Sequence, residues 1–326
     1  MLISDRLFSD WMPREIYNEK IWVIGLSGGA DSLCLTLLAH DYAALHGIKI
    51  IAGIVDHKLR PESSSEILPT IKILNEKGIE HDVMVWEHKD DIEGSIELKA
   101  RSARYDLLYK LCKTVGSRVL VTAHHALDQW ETFFMRLSRG SSIRGLTCIR
   151  RVSDFKDVKL FRPLLEATPD DIKQTLKERF NISEYVDDPS NSDDKFERVR
   201  WRNAYEELSK YSLDITNISK TIRRIQTAND CIDYMVKSTI ADIFDGSRLL
   251  IEKFRHLSLE IRMRIIDTII STVSPKSKRV ISYSLLKRTV GEICKREFIA
   301  TNLSGLVLRR DRKDVDCIVV SAEDRP

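Results

Sequence analysis

The sequence predicts an α/β fold: an N-terminal parallel sheet with helices on both faces, followed by a smaller, mainly helical C-terminal domain. Three observations predict this fold. Short apolar runs alternate with helical patterns in the first half of the chain, and a glycine turn joins the first apolar run to a helix. Beyond about residue 195 most of the pattern is helical. Alternation of this kind is typical of βαβ units and a parallel sheet.

The first half supplies the elements of that sheet. Strand-like runs lie at residues 21–26, 49–55, 81–86 and 118–123, and helical patterns lie at 31–46, about 64–77, 95–115 and 127–138. Ligands of parallel sheets bind at the carboxyl ends of the strands. Ser27, Asp56-His57 and His124-His125 follow three of these runs, so we expect them to meet at one edge.

The second half begins with residues 139–162, which are rich in arginine and predict a loop. Thr168 and Pro169 are typical of a helix start and predict a helix at about 169–180. Polar residues 187–195 predict a turn or linker. Further helices are predicted at about 198–211, 216–245, 257–272 and 282–293, and short strands at 297–301, 305–310 and 315–320. We predict a catalytic domain over residues 1–214, including basic loop 139–151 and linker 187–203, and a C-terminal domain over 215–326.

The glycine turn has the form of an anion site. Its residues are Ser27, Gly28, Gly29, Ala30, Asp31 and Ser32. Adjacent glycines let the backbone approach a ligand and adopt positive φ, and the first N–H groups of the following helix point at the same place. The loop lacks the lysine of a Walker A motif and the spacing of a dinucleotide fingerprint. The alternative is an ordinary turn in which Asp31 or Ser32 caps the helix.

A second polar block runs from Thr122 to Thr132 and enters a helix. His124, Asp128 and Glu131 share one helical face or its start. Asp128 facing Asp31 could bring two carboxylates to one Mg²⁺, an ion usually held by carboxylates and nucleotide phosphates. The alternative is a helix cap with surface ion pairs. His125 is expected to pack or to form a hydrogen bond.

Composition limits the classes of function. Residues 195–326 carry 26 Lys and Arg against 18 Asp and Glu, a net charge of +8, and the residues before them carry 26 against 31, a net charge of −5. A basic half beside an acidic half suits contact with a polyanion, although a solvated surface would look similar. The six cysteines are scattered, which favours reduced thiols, and neither a signal peptide nor a membrane span is evident. We therefore expect a cytoplasmic protein without membrane contact, and a homodimer is one hypothesis for its assembly.

Several motifs resemble one family. The glycine loop is similar to that of the PP-loop ATP pyrophosphatases, which cleave ATP between the α- and β-phosphates. The chain is identified more narrowly, over roughly residues 20–205, as resembling the tRNA(Ile)-lysidine synthetases. The motifs that carry this resemblance, besides the loop and the block at 122–132, are Val55-Asp-His-Lys-Leu-Arg-Pro-Glu-Ser63, Lys99-Ala-Arg-Ser-Ala-Arg104-Tyr105, Arg139-Gly-Ser-Ser-Ile-Arg-Gly145, Arg162-Pro-Leu-Leu165, and Asp188-Pro-Ser-Asn191 with Arg198 and Arg202.

The resemblance implies a two-step reaction. ATP would adenylate the 2-oxo group of the wobble cytidine in an isoleucine tRNA with a CAU anticodon, and free L-lysine would then displace AMP. The loop residues Ser27, Gly28, Gly29, Ala30, Asp31 and Ser32 would hold ATP, and Asp31 and Asp128 would hold Mg²⁺. Arg104, His124, Asp128 and Glu131 would surround the lysine and the target base, and Arg198 or Arg202 would face the tRNA or the activated base.

Two positions depart from the family pattern. Leu127 stands where the family commonly has a second aspartate, and Val199 stands where asparagine is frequent. Three other functions fit the residues less well. A tRNA thiolase generally needs a cysteine pair that this chain lacks, and a small-molecule synthetase would not need the basic second half. A nucleotide-responsive RNA-binding module would not need converging carboxylates, which repel phosphate.

Overall fold

The computed structural model describes residues 1–58, 67–87, 96–186, 195, 197–274 and 281–323. The chain divides into two compact units, Met1–Ile225 and Gln226–Pro326. The helix Ile215–Ile243 begins in the first unit and ends in the second. The predicted domain boundary, between residues 214 and 215, falls at the start of this helix and stays a prediction.

The first unit alternates strands and helices from its first strand as far as the helix that begins at Ala126. Its strands are β1 Ile21–Leu26, β2 Lys49–Asp56, β3 His81–Val85, β4 Val119–Val121, β5 Val152–Phe155 and β6 Val158–Phe161. Its helices are α1 Asp5–Asp10, α2 Ala30–His46, α3 Leu68–Glu76, α4 Ile96–Val115, α5 Ala126–Ser138, α6 Ile143–Leu146, α7 Pro169–Arg179 and α8 Glu197–Ser209, followed by α9 Ile215–Ile243.

These strands form one sheet in the order β3-β2-β1-β4-β6-β5. Strand β1 pairs in parallel with β2 and β4, and β4 pairs in parallel with β6. The predicted parallel sheet is therefore confirmed. Residues 139–162, predicted to be a loop, instead contain α6 and the antiparallel hairpin of β5 and β6. The hairpin strands are only four residues long and carry charged side chains, so their apolar pattern is weak.

Buried side chains cover both faces of the sheet. Trp22 and Ile24 of β1 belong to a core cluster that includes Leu35 of α2. Val23, between them, belongs to another cluster with Leu108 of α4. Because neighbouring side chains of a strand point to opposite faces, α2 and α4 pack on opposite sides of the sheet. Helices on both faces were predicted.

The second unit combines the end of α9 with α10 Ile251–Arg255, α11 Leu259–Val273, α12 Tyr283–Ile293 and a small antiparallel sheet. The sheet has the order β7-β10-β9-β8, made of β7 Arg248–Leu250, β8 Ala300–Leu303, β9 Leu306–Arg310 and β10 Cys317–Ala322. The sequence predicted strands close to β8, β9 and β10 and missed β7, which is three residues long. Isoleucines of α11 and leucines of the sheet form its core.

Some predictions fall outside the described residues. They are the end of the Val55–Ser63 motif from residue 59, the start of the helix predicted from about 64, and most of the linker at 187–195 with its Asp188–Asn191 motif. In the part of the chain that the structure describes, no helix is long and apolar enough to cross a membrane. The six cysteines are unpaired.

Candidate active site

The glycine loop joins β1 to α2 at the carboxyl edge of the sheet. Gly28 has φ of +87°, whereas Gly29 has an ordinary φ of −70° and caps the helix that begins at Ala30. Ser32 closes the turn: its hydroxyl accepts from Ser27 N at 3.1 Å and donates to the Gly29 carbonyl at 3.1 Å. The first N–H groups of α2 have no acceptor in their own helix and face the loop, which suits an anion.

Gly28 is also required by its surroundings. A Cβ at this position would lie 2.9 Å from Thr70 Oγ1 and 3.0 Å from Val186 Cγ2. The Val186 N–H donates to the Gly28 carbonyl at 3.2 Å. The segment after α7 therefore packs directly on the loop, and only glycine fits both the backbone angle and the space.

His125 lies between the two aspartates of the predicted site. Its Nε2 lies 3.4 Å from Asp31 Oδ2, and its Nδ1 lies 3.7 Å from Asp128 Oδ2. Its backbone N–H donates to Asp128 Oδ2 at 2.9 Å, which caps the start of α5. The side chain is only 7% exposed. One buried imidazole thus connects the glycine loop with the start of α5.

A network of ion pairs continues from Asp128 to helix α8. Asp128 Oδ1 accepts from Arg198 Nη2 at 3.0 Å. Glu131 accepts from Arg198 Nε at 2.8 Å and from Arg202 Nε at 2.7 Å, one bond to each carboxylate oxygen. Glu131 is fully buried, whereas the two arginines are 37% exposed. The carboxylates of α5 therefore hold both arginines with part of each side chain open to solvent.

Charges in this network change the protonation of its members. Burial lowers the pKa of His125, but Asp128 and Asp31 outweigh burial and raise the pKa to about 8. Burial raises the pKa of Asp128, but His125 and Arg198 outweigh it and hold that pKa well below its usual range. Burial and the neighbouring Asp128 raise the pKa of Glu131. Asp128 is thus ionised at neutral pH.

His124 and Arg104 lie near this network. His124 Nδ1 lies 3.0 Å from Thr122 Oγ1, and burial lowers the pKa of His124 to about 3. Arg104 lies on α4, where burial and the charges of Arg101 and Arg198 lower its pKa. His124 and Arg104 are therefore close to Arg198, the arginine that binds Asp128 and Glu131.

His125 contacts Asp31 and Asp128, and Arg198 pairs with Asp128 and Glu131. Glu131 also pairs with Arg202, and Arg104 and His124 lie nearby. Asp56 ends β2 at the same edge of the sheet, and His57 follows it. Sequence reasoning expected a hydrogen bond or packing for His125 but did not foresee that it bridges two carboxylates. In the sequence, Arg101 and Arg162 stand out only as parts of motifs, and nothing else in the sequence marks either of them as a site residue.

The predicted magnesium site at Asp31 and Asp128 stays a prediction, with which the chemistry of the two side chains is compatible. Both are carboxylates, the ligands that Mg²⁺ prefers together with phosphate oxygens. The Asp31 side chain is 43% exposed, whereas Asp128 is 13% exposed. Among the described residues, no three His, Cys, Asp or Glu side chains form a metal-binding group. A magnesium ion here would therefore take several of its ligands from a bound nucleotide or from water.

The sheet, the loop and its polar edge define a protein of the PP-loop class. A family model described as "PP-loop domain" matches residues 5–208. The U34-tRNA thiolase NcsA from Methanococcus maripaludis has a similar fold, with a TM-score of 0.56 and 19% identity over 67% of this chain and 77% of that one.

Curated relatives narrow the assignment. The tRNA(Ile)-lysidine synthase of Wolbachia pipientis is 30% identical over 90% of this chain and 69% of its own length. That of Rhodopseudomonas palustris is 33% identical over 80% of this chain and 75% of its own length. The chain belongs to the family of tRNA(Ile)-lysidine synthases, which confirms the resemblance found in the motifs.

Proposed function

We propose that the chain ligates free L-lysine to C2 of the wobble cytidine in an isoleucine tRNA with a CAU anticodon, at the expense of ATP. In the first step the cytidine O2 attacks the α-phosphorus of ATP, and pyrophosphate leaves. In the second step the ε-amine of lysine attacks C2, AMP leaves with the former O2, and the amine loses its proton. The products are lysidine, AMP and pyrophosphate. We place this ligase in the cytoplasm, with its tRNA.

The observation that carries the proposal is the connection from Asp31 through His125 to Asp128 and Arg198. Through it, the glycine loop, which we propose binds an anion, lies at the same edge of the sheet as an ionised carboxylate. A reaction that joins a nucleotide to an amine substrate needs both features. The loop from Ser27 to Ser32 would bind the phosphates of ATP through its backbone N–H groups.

Asp128 is suited to bind the ammonium group of lysine. Its lowered pKa keeps it ionised at neutral pH, so it attracts a cation but is a weak base. The lysine would share Asp128 with Arg198. Glu131, whose two oxygens are occupied by Arg198 and Arg202, would act by holding these arginines toward the base and the RNA.

Mg²⁺ would be held by Asp31 and Asp128 together with phosphate oxygens, and it would offset charge on the departing pyrophosphate. His125, which contacts both carboxylates, would orient them. His124, neutral because its pKa is lowered by burial, adds no charge beside the base.

The test is nucleoside mass spectrometry of tRNA(Ile) incubated with the protein, ATP and lysine. We expect the wild type to form lysidine and Asp128→Asn to form none. The affinity of Asp128→Asn for tRNA should stay within about twofold of the wild-type affinity, because the loss of one charge leaves the shape of the site intact. Asp154→Asn removes a carboxylate that is 76% exposed and should leave lysidine formation unchanged.

A wild-type protein that leaves the cytidine unmodified would contradict the proposed reaction. Near-normal activity of Asp128→Asn would instead remove Asp128 from the mechanism. The same spectra would reveal a thiolated base, the product expected if the chain shared the activity in the name of the structurally similar thiolase.

A further inference from the structure

Helix α4 presents two arginines beside one aromatic ring. The guanidinium carbon of Arg101 lies 5.3 Å from the ring centre of Tyr105, and that of Arg104 lies 5.9 Å from it. The Tyr105 ring in turn packs on Phe155 of the edge strand β5, with 5.4 Å between ring centres. The two cations are therefore supported by a ring that is itself fixed against the sheet.

Arg162 joins this group from the end of β6. Its Nη1 donates to the Arg150 carbonyl at 2.8 Å and to Ser153 Oγ at 3.0 Å. Its Nε is buried and has no hydrogen-bond acceptor among the described residues. Strands β4 and β6 are parallel neighbours, so Arg162 emerges from the sheet beside the segment that carries His124. Arg162 is thus held in place through Nη1, while its buried Nε has no acceptor among the described residues.

Among the described residues, no carboxylate pairs with these three positive charges. In the described part of the chain, Arg101, Arg104 and Arg162 have no carboxylate partner, in contrast to Arg198 with its two. Burial is the main cause that lowers the pKa of both Arg104 and Arg162, and the nearby charge of Arg101 adds to it. Arg104 and Arg162 are partly buried, and holding their charges close to a third positive charge costs free energy unless an anion offsets it.

We propose that Arg101, Arg104 and Arg162 form a phosphate-binding site beside the candidate active site. The chemistry of the group favours phosphate, because arginine binds its oxygens through several N–H donors at once. This phosphate could come from the RNA backbone or from the nucleotide. The RNA backbone is favoured, since the glycine loop already serves the phosphates of ATP. The identity of the RNA rests on the proposed function.

Phosphate contacts position a nucleic acid without reading its sequence. A phosphate fixed by this cluster would hold the backbone close to His124 and Arg198. The cluster would then orient the target nucleotide, and we name its members positioning residues.

The test compares Arg101→Gln with Arg118→Gln. Both arginines are exposed, so neither change should unfold the chain. Arg118 precedes β4 and therefore lies at the opposite edge of the sheet, which makes it a matched control. The probe is the anticodon stem-loop of tRNA(Ile), and its Kd is measured by fluorescence anisotropy over a series of salt concentrations. The affinity for ATP is measured separately by calorimetry, without RNA.

We expect Arg101→Gln to weaken stem-loop binding several-fold at low salt. Loss of one phosphate contact should also flatten the slope of log affinity against log salt by roughly 0.7 to 1. Arg101→Lys should keep most of the slope, because the point charge remains. ATP affinity should stay unchanged.

If Arg101→Gln instead weakens ATP binding and leaves RNA binding intact, the site binds phosphate and the nucleotide supplies it. If Arg101→Gln matches Arg118→Gln in both measurements, the site is refuted. These outcomes do not depend on turnover. If the wild type makes no lysidine, the proposed function is contradicted. If Arg101→Gln still binds RNA more weakly than the wild type, the phosphate site is supported all the same.

Discussion

Glu131 illustrates how a single buried carboxylate organises this site. Its two oxygens accept from Arg198 and Arg202, and none of its side chain is exposed. Sequence spacing placed Glu131 on the same helical face as Asp128, as the structure finds. The spacing could not identify the partners of Glu131, because Arg198 lies 67 residues further along the chain on another helix. Glu131 thus connects α5 with α8 through two ion pairs whose carboxylate is buried and whose arginines are partly exposed.

His124 gives a prediction for the dependence of stability on pH. Burial lowers its pKa to about 3, against an ordinary value of 6.5. The unfolded chain therefore takes up a proton below pH 6.5 that the folded chain refuses until about pH 3. The stability that neutral His124 contributes is complete above pH 6.5 and is lost as the pH falls from 6.5 toward 3.

The variant His124→Gln should lose less stability on acidification than the wild type. The linkage amounts to at most about 2 kcal/mol between pH 7 and pH 5. Urea unfolding of both proteins at these two pH values measures it. If the wild type and the variant lose the same free energy of unfolding, protonation of His124 is not opposed by the fold.

Among the elements, the turn between β1 and α2 carries the most specific chemistry. Its sequence predicted an anion site, and the structure places the open first turn of α2 and the positive φ of Gly28 there. The prediction for Gly29 was less complete, because that residue caps the helix in an ordinary conformation. The contact of Val186 with Gly28 could not be predicted, since it depends on tertiary packing.

Gly28→Ala should therefore impair ATP binding, by at least tenfold. A Cβ at positive φ costs roughly 1–2 kcal/mol, and here it would also meet Thr70 and Val186. Gly47→Ala is the matched control, because Gly47 has φ of +62° with nothing within 4 Å of its Cβ position. Calorimetry with ATP should find normal affinity for Gly47→Ala. Equal ATP affinity in the two variants would mean that the packing around Gly28 does not serve the nucleotide.

The accuracy of element prediction followed the strength of the apolar pattern. Strand β1, buried on both faces, was predicted with its observed bounds. The hairpin of β5 and β6 was missed, because Asp154 and Lys159 interrupt its apolar residues and it lies at the edge of the sheet. Helix α1 was missed as well, since its six residues are mostly polar and its burial comes from contacts with the rest of the unit.

For the molecule as a whole, α9 determines where the first unit can end. Ile215, Ile218 and Ile222 at its start are buried in a cluster with Trp130, and the Trp130 indole donates to the Leu213 carbonyl at 2.6 Å. The predicted boundary after residue 214 would remove these isoleucines from the first unit. The division observed after Ile225 keeps them.

A chain ending at residue 225 should accordingly be more stable than one ending at residue 214. The three isoleucines are 7%, 6% and 1% exposed, and burial of such a side chain is worth about 1.5–3 kcal/mol. The shorter chain should lose roughly 5 kcal/mol or more of its free energy of unfolding. Urea titration followed by tryptophan fluorescence measures the difference. Equal midpoints would show that burial of these isoleucines does not stabilise the first unit.

The position of His125 has a consequence for how strongly one substrate affects the binding of the other. Its ring contacts Asp31 on the side proposed for the nucleotide and Asp128 on the side proposed for the amine. A substrate that draws one of these carboxylates away from the His125 ring changes the electrostatic potential at the other carboxylate. Occupancy of the two half-sites is then thermodynamically coupled, and each substrate alters the affinity of the other by the same factor.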